Sequence, residues 1–177
     1  MLRNNSNIST NFILDLYDSV NLDTYKIMKA LNWQEDEFVS MIRSNMEPYK
    51  NKLIVMPESS KSFLREVVLK DFSTMVVKKN SLSTLYNKIK FDYAIQTSQR
   101  KSILKKLEQD TIRINDYKNT QRSVVCKHLF QIPNIPEETD FIIFDDAIFT
   151  GSTLNHIATS LGKTEVFAVF AYANKEE

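Results

Sequence analysis

The sequence predicts an α/β fold with a parallel sheet, on three observations. Short apolar runs that do not alternate with polar residues indicate strands buried on both faces; they are 53–56, 74–77, 141–144 and 166–172. Stretches with helical spacing lie between these runs, which favours parallel strands joined by right-handed crossovers. Polar residues suited to anions follow the runs, and the carboxyl ends of parallel strands share one edge of a sheet.

Composition predicts one globular core and excludes several classes of function. The 177 residues are 42% hydrophobic, enough for a core of their own. The 23 basic and 22 acidic residues nearly balance, so the chain as a whole gives no strong nucleic-acid or membrane signal. A single cysteine, Cys126, excludes an intrachain disulfide framework and predicts a reducing, cytoplasmic location, with the thiol packed as a small apolar group. No stretch is long and apolar enough to span a bilayer.

Residues 1–50 are predicted to form an N-terminal helical region that caps the core or docks a partner. Apolar spacing predicts helices over 11–18, 21–31 and 34–46. A protein partner or a second copy of the chain would use these helices, or the basic insert described below. The core is predicted over 51–177.

Two polar segments that follow the first two core strands are candidate anion sites. The first strand ends at Pro57, and the polar loop before a helix predicted over 63–70 contains Ser59, Ser60, Lys61 and Ser62. Hydroxyls and a lysine at a helix N-terminus favour an anion. The second strand ends in Lys78 and Lys79. The alternatives are an ordinary serine cap and solvated lysines.

The interval 80–128 is predicted to be a helical insert. Apolar residues recur at helical spacing, and 121–127 contains a run that would also suit a short strand. One stretch is basic, with Arg100, Lys101, Lys105, Lys106 and Arg113. Its charged face is either simply solvated, or it covers a pyrophosphate or docks an acidic partner.

The segment 141–154 carries the most specific chemistry. The apolar strand is followed by Asp145 and Asp146, and a helix that ends at Gly162 opens with Phe149, Thr150, Gly151, Ser152 and Thr153. Backbone N–H groups at such a turn lack intrahelical partners and favour an anion. Carboxylates accept hydrogen bonds from a sugar diol and hold Mg²⁺ directly or through water. A phosphate cup beside a diol acceptor describes a ribose 5-phosphate site.

This segment resembles the phosphoribosyl diphosphate (PRPP) signature of type I phosphoribosyltransferases. The acidic pair, Thr150, Gly151 and Thr153 match; Ala147 is smaller than the usual aliphatic residue, and Phe149 replaces a Thr, Ser or Asp. An Asp at that position is the proposed acid/base of purine-type members, so Phe149 argues against that substrate class. An ordinary βα turn with an acidic pair is the alternative.

The resemblance implies a phosphoribosyltransferase-like core and a role for each polar segment. The 149–153 turn would bind the 5-phosphate, and the acidic pair, as the candidate catalytic residues, would bind the ribose hydroxyls and Mg²⁺. The 59–62 loop and Lys78 or Lys79 would bind the pyrophosphate. A mobile catalytic loop occupies the position of the insert in that family.

Three functions are compatible with these residues. The first is a glycosyltransferase that transfers the phosphoribosyl group from PRPP and releases pyrophosphate. The second is a non-catalytic regulator, or an effector subunit of a larger bacterial assembly, that keeps the nucleotide-binding fold. The third is hydrolysis of a nucleotide N-glycosidic bond. His128 and His156 lie apart from other ligand-type residues, and no cluster has metal or triad spacing.

Overall fold

A five-stranded parallel sheet forms the centre of the computed structural model, which describes residues 9–17, 34–58, 70–109, 112–148, 151–163 and 165–173. The strands are β1 (Ser9–Tyr17), β2 (Leu53–Pro57), β3 (Thr74–Val77), β4 (Phe141–Ile148) and β5 (Glu165–Ala173). Their spatial order is β1-β5-β4-β2-β3, and every pairing between them is parallel.

The described helices are α1 (Glu35–Met46), α2 (Leu82–Lys90), α3 (Thr97–Leu107), α4 (Asn119–Leu129) and α5 (Ser152–Ser160). Short 3₁₀ turns at Glu47–Tyr49 and Ile114–Asp116 follow α1 and precede α4. Ser81 begins α2, because its hydroxyl accepts a hydrogen bond from the N–H of Thr84. None of the described helices combines the length and apolar character that crossing a membrane requires.

One face of the sheet is covered by the helices of the insert together with α5. Val55, Val77 and Ile143 of the strands share a buried cluster with side chains of these helices, such as Leu85 and Ile157. Because Val125 and Leu129 are four residues apart, they enter the same cluster from one side of α4. The insert is therefore part of the hydrophobic core and not a separate appendage.

The other face of the sheet carries the side chains that alternate with these along the strands. Ile54, Ile142 and Phe144 are fully buried there, and the rings of Phe144 and Phe167 stack with centroids 5.9 Å apart. Tyr49, just after α1, meets Phe167 edge-on at 5.8 Å. Helix α1 therefore covers this second face, which makes three layers of helix, sheet and helix.

The α/β class with parallel strands is confirmed, and so are strands 74–77 and 165–173 and the helical character of the insert. The third N-terminal helix is confirmed as α1, and the helix after the signature ends before Gly162, whose φ of 64° is typical of a residue that terminates a helix. The helices predicted over 21–31 and 63–70 lie wholly or almost wholly outside the described residues.

The helix predicted over 11–18 is wrong: residues 9–17 are strand β1, which pairs with β5 along its length. Phe12, Ile13, Leu16 and Tyr17 suit either a helix face or a short strand, and periodicity alone does not separate the two. Pairing decides in favour of the strand, because β1 supplies hydrogen-bond partners for the outer edge of β5. The N-terminal region thus contributes the edge of the core sheet as well as a covering helix.

Two further boundaries differ from the prediction. The run 121–127 belongs to helix α4 and forms no strand. Its buried residues Gln121, Val125 and Leu129 are spaced by four, and this spacing outweighs the strand preference of the valines. Strand β4 continues to Ile148, so the acidic pair lies within the strand and not in a loop after it.

Candidate functional site

The ladder between β2 and β4 ends before either strand does, and we call the place between them at the carboxyl edge of the sheet the crevice. The ladder between these strands ends at Val55 and Ile143, whereas the ladder between β4 and β5 continues to Ile148 and Ala171. The chain leaves β2 toward β3 on one side and leaves β4 toward β5 on the other. This reversal of direction defines the topological switch point, where open α/β sheets bind their ligands.

Pro57 explains why β2 parts from β4 at this level. Proline has no N–H to donate to a ladder, and β2 ends at this residue. The next residue, Glu58, donates its N–H to the carbonyl of Val77 at 2.9 Å. The Glu58 carboxylate also accepts a hydrogen bond from the N–H of Lys79 at 2.7 Å. The end of β2 is thereby held against β3.

Asp145 stands on the β4 side of this crevice. It is opposite Ala168 of β5 and is half-buried. Successive strand residues alternate between faces, so Asp145 shares the face of Phe141 and Ile143, which α5 helps to cover. The next residue, Asp146, is also within β4, although its side chain lies outside the described part of the structure. A carboxylate of the predicted pair therefore lies on the same face as the helix that follows it.

The turn from β4 into α5 has the backbone geometry expected of a close anion contact. Gly151 is buried and adopts the left-handed conformation, with φ 69° and ψ −2°, at the position that caps α5. Its carbonyl accepts the first helical hydrogen bond, from the N–H of Asn155 at 2.8 Å. A residue with a Cβ is strained in this conformation, which explains why glycine occupies the position.

The two hydroxyls at the start of α5 differ in their surroundings. Ser152 is half-buried in the first turn of the helix. Thr153 lies close enough to the buried thiol of Cys126 in α4 to influence its pKa. Burial raises the pKa of this thiol to about 12, although Thr153 and Arg122 oppose the shift, so Cys126 stays protonated and packs as predicted. The start of α5 therefore lies beside α4, a helix of the insert.

The predicted site residues divide into those the structure places and those outside its described part. Asp145, Asp146, Gly151, Ser152 and Thr153 lie along β4 and the start of α5. Lys78 and Lys79 are exposed just beyond β3, where Lys79 meets Glu58. Outside the described residues are Ser59, Ser60, Lys61, Ser62, Phe149 and Thr150.

The main chain around the two lysines is fixed by the end of α4. Lys79 and Phe130 form an isolated antiparallel bridge, and the N–H of Gln131 donates to the carbonyl of Lys78 at 2.8 Å. Between the lysines and α2, Asn80 is buried and donates its side-chain amide to the carbonyl of His128 at 2.8 Å. The insert therefore returns to the sheet edge beside the candidate site.

Sequence reasoning missed the pairing of His128 with Asp92, 36 residues earlier. The Nε2 atom of His128 lies 2.9 Å from a carboxylate oxygen of Asp92, so the prediction that this histidine is isolated is wrong. A bond from the N–H of Ala94 is the main reason that the pKa of Asp92 is lowered. Burial lowers the pKa of His128, and this outweighs the opposing effect of Asp92. No pattern among neighbouring residues predicts a contact between positions so far apart in the sequence.

His156 and Asn155, on α5, each bury one polar atom that makes no hydrogen bond within the described residues: Nε2 of His156 and Oδ1 of Asn155. His156 packs near Phe130, with ring centroids 6.4 Å apart. Burial lowers its pKa, and the neighbouring His128 adds to the shift. Both histidines therefore favour the neutral form in the folded protein.

The described residues contain no cluster of three or more metal-ligating side chains. A magnesium site does not require one, because Mg²⁺ is commonly held by one or two carboxylates together with substrate phosphates and water. A carboxylate at the crevice, Asp145, is the kind of oxygen ligand that this ion prefers. The donor set is therefore compatible with Mg²⁺ that arrives with a phosphorylated substrate.

Comparisons of the chain with protein-family models, with curated proteins and with solved structures found no match.

Replacing Gly151 with alanine tests the role of the turn, and Gly162→Ala provides the matched control. Both glycines have positive φ, so we expect each variant to lose about 1–2 kcal/mol of unfolding free energy through backbone strain. A Cβ at Gly162 would meet no atom within 4 Å, so backbone strain without a steric clash is the effect of that variant. Only Gly151→Ala should also weaken binding of ribose 5-phosphate in calorimetry; equal affinity in both variants would contradict an anion contact at the turn.

The two histidines should make the protein less stable in mild acid. Both have folded-state pKa values below their usual 6.5, so the unfolded chain takes up protons first as the pH falls. The unfolding free energy should therefore decline from pH 7.5 to pH 5.5, by at most about 1.4 kcal/mol per pH unit for each histidine. Urea denaturation across this range measures the slope, and His156→Leu should reduce it.

A histidine NMR titration separates the two contributions. Asp92 opposes the lowering of the His128 pKa, so Asp92→Asn should lower that pKa further and move His156 less. An unchanged His128 pKa in this variant would show that the pair does not persist in solution.

Proposed function

We propose that the crevice between β2 and β4 binds PRPP or a ribose 5-phosphate nucleotide, and that the protein transfers the phosphoribosyl group with release of pyrophosphate. The observation that carries the proposal is the placement of the PRPP-type signature. Its left-handed Gly151 begins α5 directly after β4, one of the two strands that flank the switch point. A chance acidic pair before an ordinary turn has no reason to fall at this position.

The 5-phosphate would bind at the start of α5. N–H groups of the first helical turn have no partner within the helix, and they and the helix dipole favour an anion there. Gly151 would bring the backbone close, and the hydroxyls of Ser152 and Thr150 would add donors. Thr153 lies beside Cys126 of α4, and it would contribute its N–H from the first turn of the helix.

The ribose would lie on the α5 face of β4, with a hydroxyl donating to Asp145. Because neighbouring residues of a strand face opposite sides, Asp146 would reach the ligand only through water or Mg²⁺ at the sheet edge. Mg²⁺, when bound with the substrate, would neutralise charge on the pyrophosphate and share these carboxylates directly or through water. The pyrophosphate would extend toward β2 and β3. There the 59–62 loop and the exposed Lys78 and Lys79 offer hydroxyls and positive charge.

Transfer would break the bond between C1 of the ribose and the pyrophosphate oxygen, and an acceptor nitrogen would take its place at C1 and lose its proton. The ribose passes through a cationic, oxocarbenium-like state, so the negative carboxylates stabilise charge that develops during the reaction. Holding both partners in line supplies much of the remaining rate enhancement. Phe149 offers no acid or base at the position where purine-type members have an Asp, so the acceptor belongs to another class.

A second function, ligand binding without turnover, is favoured by the packing of the insert. Where the resemblance implies a mobile catalytic loop, this chain has three helices that share the hydrophobic core. The buried Gln121 donates to Ser102 at 3.0 Å and so joins two of these helices. A regulator or effector subunit would use such an ordered helical surface to contact a partner in a way that depends on the bound nucleotide.

Pyrophosphate release from PRPP, measured with Mg²⁺ across a panel of nucleobases and other nitrogen acceptors, tests the transfer reaction. Calorimetry with PRPP and ribose 5-phosphate tests binding in parallel. Release with at least one acceptor supports transfer, whereas binding without release supports the regulator. A folded protein that binds neither compound would contradict both functions.

Asp145→Asn and Asp146→Asn, singly and together, separate a ligand role from a structural one. Asp145→Asn removes a charged acceptor for a ribose hydroxyl, a contact of about 1.5–3 kcal/mol, so affinity for ribose 5-phosphate should fall by tenfold or more, and Asp146→Asn should weaken it less. Thermal stability should change little or rise, because two like charges are relieved. A collapse of stability in the double variant would instead mark the pair as structural.

A further inference from the structure

Phe91 and Tyr93 are the large hydrophobic side chains that stand exposed on the described surface, with 61% and 80% of their area accessible. They lie in the turn between α2 and α3, two residues apart. Exposed aromatic rings forgo the free energy of burial and are depleted on surfaces that contact only water. Their position therefore calls for a functional explanation.

A network centred on Asp92, the residue between the two rings, holds this turn in place. Its carboxylate accepts hydrogen bonds from the N–H of Ala94 at 3.0 Å and pairs with His128 of α4 at 2.9 Å. Its carbonyl accepts a bond from the Arg100 guanidinium at 3.2 Å. Ile95, in the same turn, is only 7% exposed and belongs to the hydrophobic cluster. The rings are thus presented by an ordered turn and not by a loose loop.

Positive charge surrounds the two rings. The Nζ atom of Lys90 lies 5.5 Å from the centroid of Phe91, and the guanidinium carbon of Arg100 lies 5.3 Å from the centroid of Tyr93. Lys127, two-thirds exposed, reaches Asp92 at 3.8 Å, and Lys88 is near enough to lower the pKa of His128. We call Lys88, Lys90, Phe91, Tyr93, Arg100 and Lys127 the aromatic–basic surface.

The positive charge of the chain is concentrated in the segment that contains this surface. Residues 78–128 contain twelve of the 23 basic side chains and four of the 22 acidic ones, a formal charge of +8, which leaves −7 for the rest of the chain. Within the part of the chain that the structure describes, Lys127 is the one member of the surface that forms an ion pair. The near-neutral total therefore conceals a strongly basic segment, whose field attracts a polyanion.

We propose that the aromatic–basic surface binds single-stranded nucleic acid. Successive unpaired bases stack on protein aromatic rings while lysine and arginine contact the intervening phosphates, and this combination depends little on sequence. The surface supplies two rings and four cations on one ordered turn and its neighbouring helices. A duplex would keep its bases stacked internally and leave the two rings unused.

An acidic protein segment is the competing occupant, and the two rings decide against it. Carboxylates are attracted to the same lysines, but they gain nothing from an aromatic ring face, whose charge distribution is itself negative. Bases, by contrast, present a flat π face to every ring they reach. The proposal is independent of ribose phosphate binding at the crevice, because it uses none of the same side chains.

Fluorescence anisotropy with labelled 15-mers of deoxythymidine and of uridine tests the proposal on the full chain. We expect binding at 50 mM salt that weakens as salt rises, with a log–log slope of about −0.7 for each phosphate contact. Phe91→Ala with Tyr93→Ala should lower the affinity at least tenfold. Lys88→Ala with Lys90→Ala should make the slope shallower. Lys50→Ala removes an exposed lysine outside residues 78–128 and should leave the affinity and the slope unchanged.

The two oligonucleotides show whether RNA or DNA is preferred, and circular dichroism verifies that each variant is folded. Absence of binding at 50 mM salt would overturn the proposal. So would binding that the double aromatic variant retains in full, because simple charge attraction would then suffice. A polyglutamate peptide that binds more tightly than the oligonucleotides and depends on the same rings would assign the surface to an acidic protein instead.

Discussion

The early end of the β2–β4 ladder is the constraint on which the account of this molecule depends. Pro57 cannot continue the ladder, and Glu58 holds the chain against β3, while β4 runs on beside β5 for five residues beyond Ile143. The chain turns in opposite directions after β2 and after β4, and these are also the two strands whose shared ladder ends early. A single residue without an N–H thus helps to place the acidic pair and the Gly151 turn beside an opening in the sheet edge.

The insert and the candidate site are parts of one packed unit. Helix α4 packs against α5, with Val125 and Ile157 in one hydrophobic cluster, and the chain just after α4 pairs with Lys78 and Lys79 at the same sheet edge. The Asp92–His128 pair links α4 onward to the turn that carries Phe91 and Tyr93. A short series of contacts thus joins the crevice to the aromatic–basic surface, although each site uses its own side chains.

Local pattern in the sequence was sufficient for strand β5 and helix α5. Residues 166–173 are an unbroken apolar run, and the helix after the signature has Gly162 as a clear stop, so both are predicted within a residue or two. Residues 11–18 failed because their apolar positions satisfy both a helix face and a strand, and only the partner strand β5 resolves the choice. Residues 121–127 failed because two valines favour a strand locally, whereas burial every fourth residue requires a helix.

The site was predictable where its chemistry is consecutive in sequence and hidden where it depends on distant contacts. The acidic pair and Gly151 lie within seven residues of each other, so the candidate ribose 5-phosphate site could be proposed from the sequence. Neither the Asp92–His128 pair nor the bond of Glu58 to the Lys79 amide has a local signal, because each joins segments more than twenty residues apart. The basic stretch from Arg100 to Arg113 is visible in the sequence, but the argument against a nucleic-acid partner uses the charge of the whole chain, which cancels the +8 of residues 78–128 against the remainder.

The central claim is that the turn at Gly151 holds the phosphate of a ribose 5-phosphate, and glycine-selective NMR tests it most directly. The chain has two glycines, both with positive φ and both at ends of α5, so protein labelled with ¹⁵N-glycine gives two amide signals that Gly162→Ala assigns. On titration with ribose 5-phosphate, the Gly151 signal should shift and saturate while the Gly162 signal stays in place. A Gly151 signal that does not move at millimolar ligand, in a folded protein, would contradict the claim.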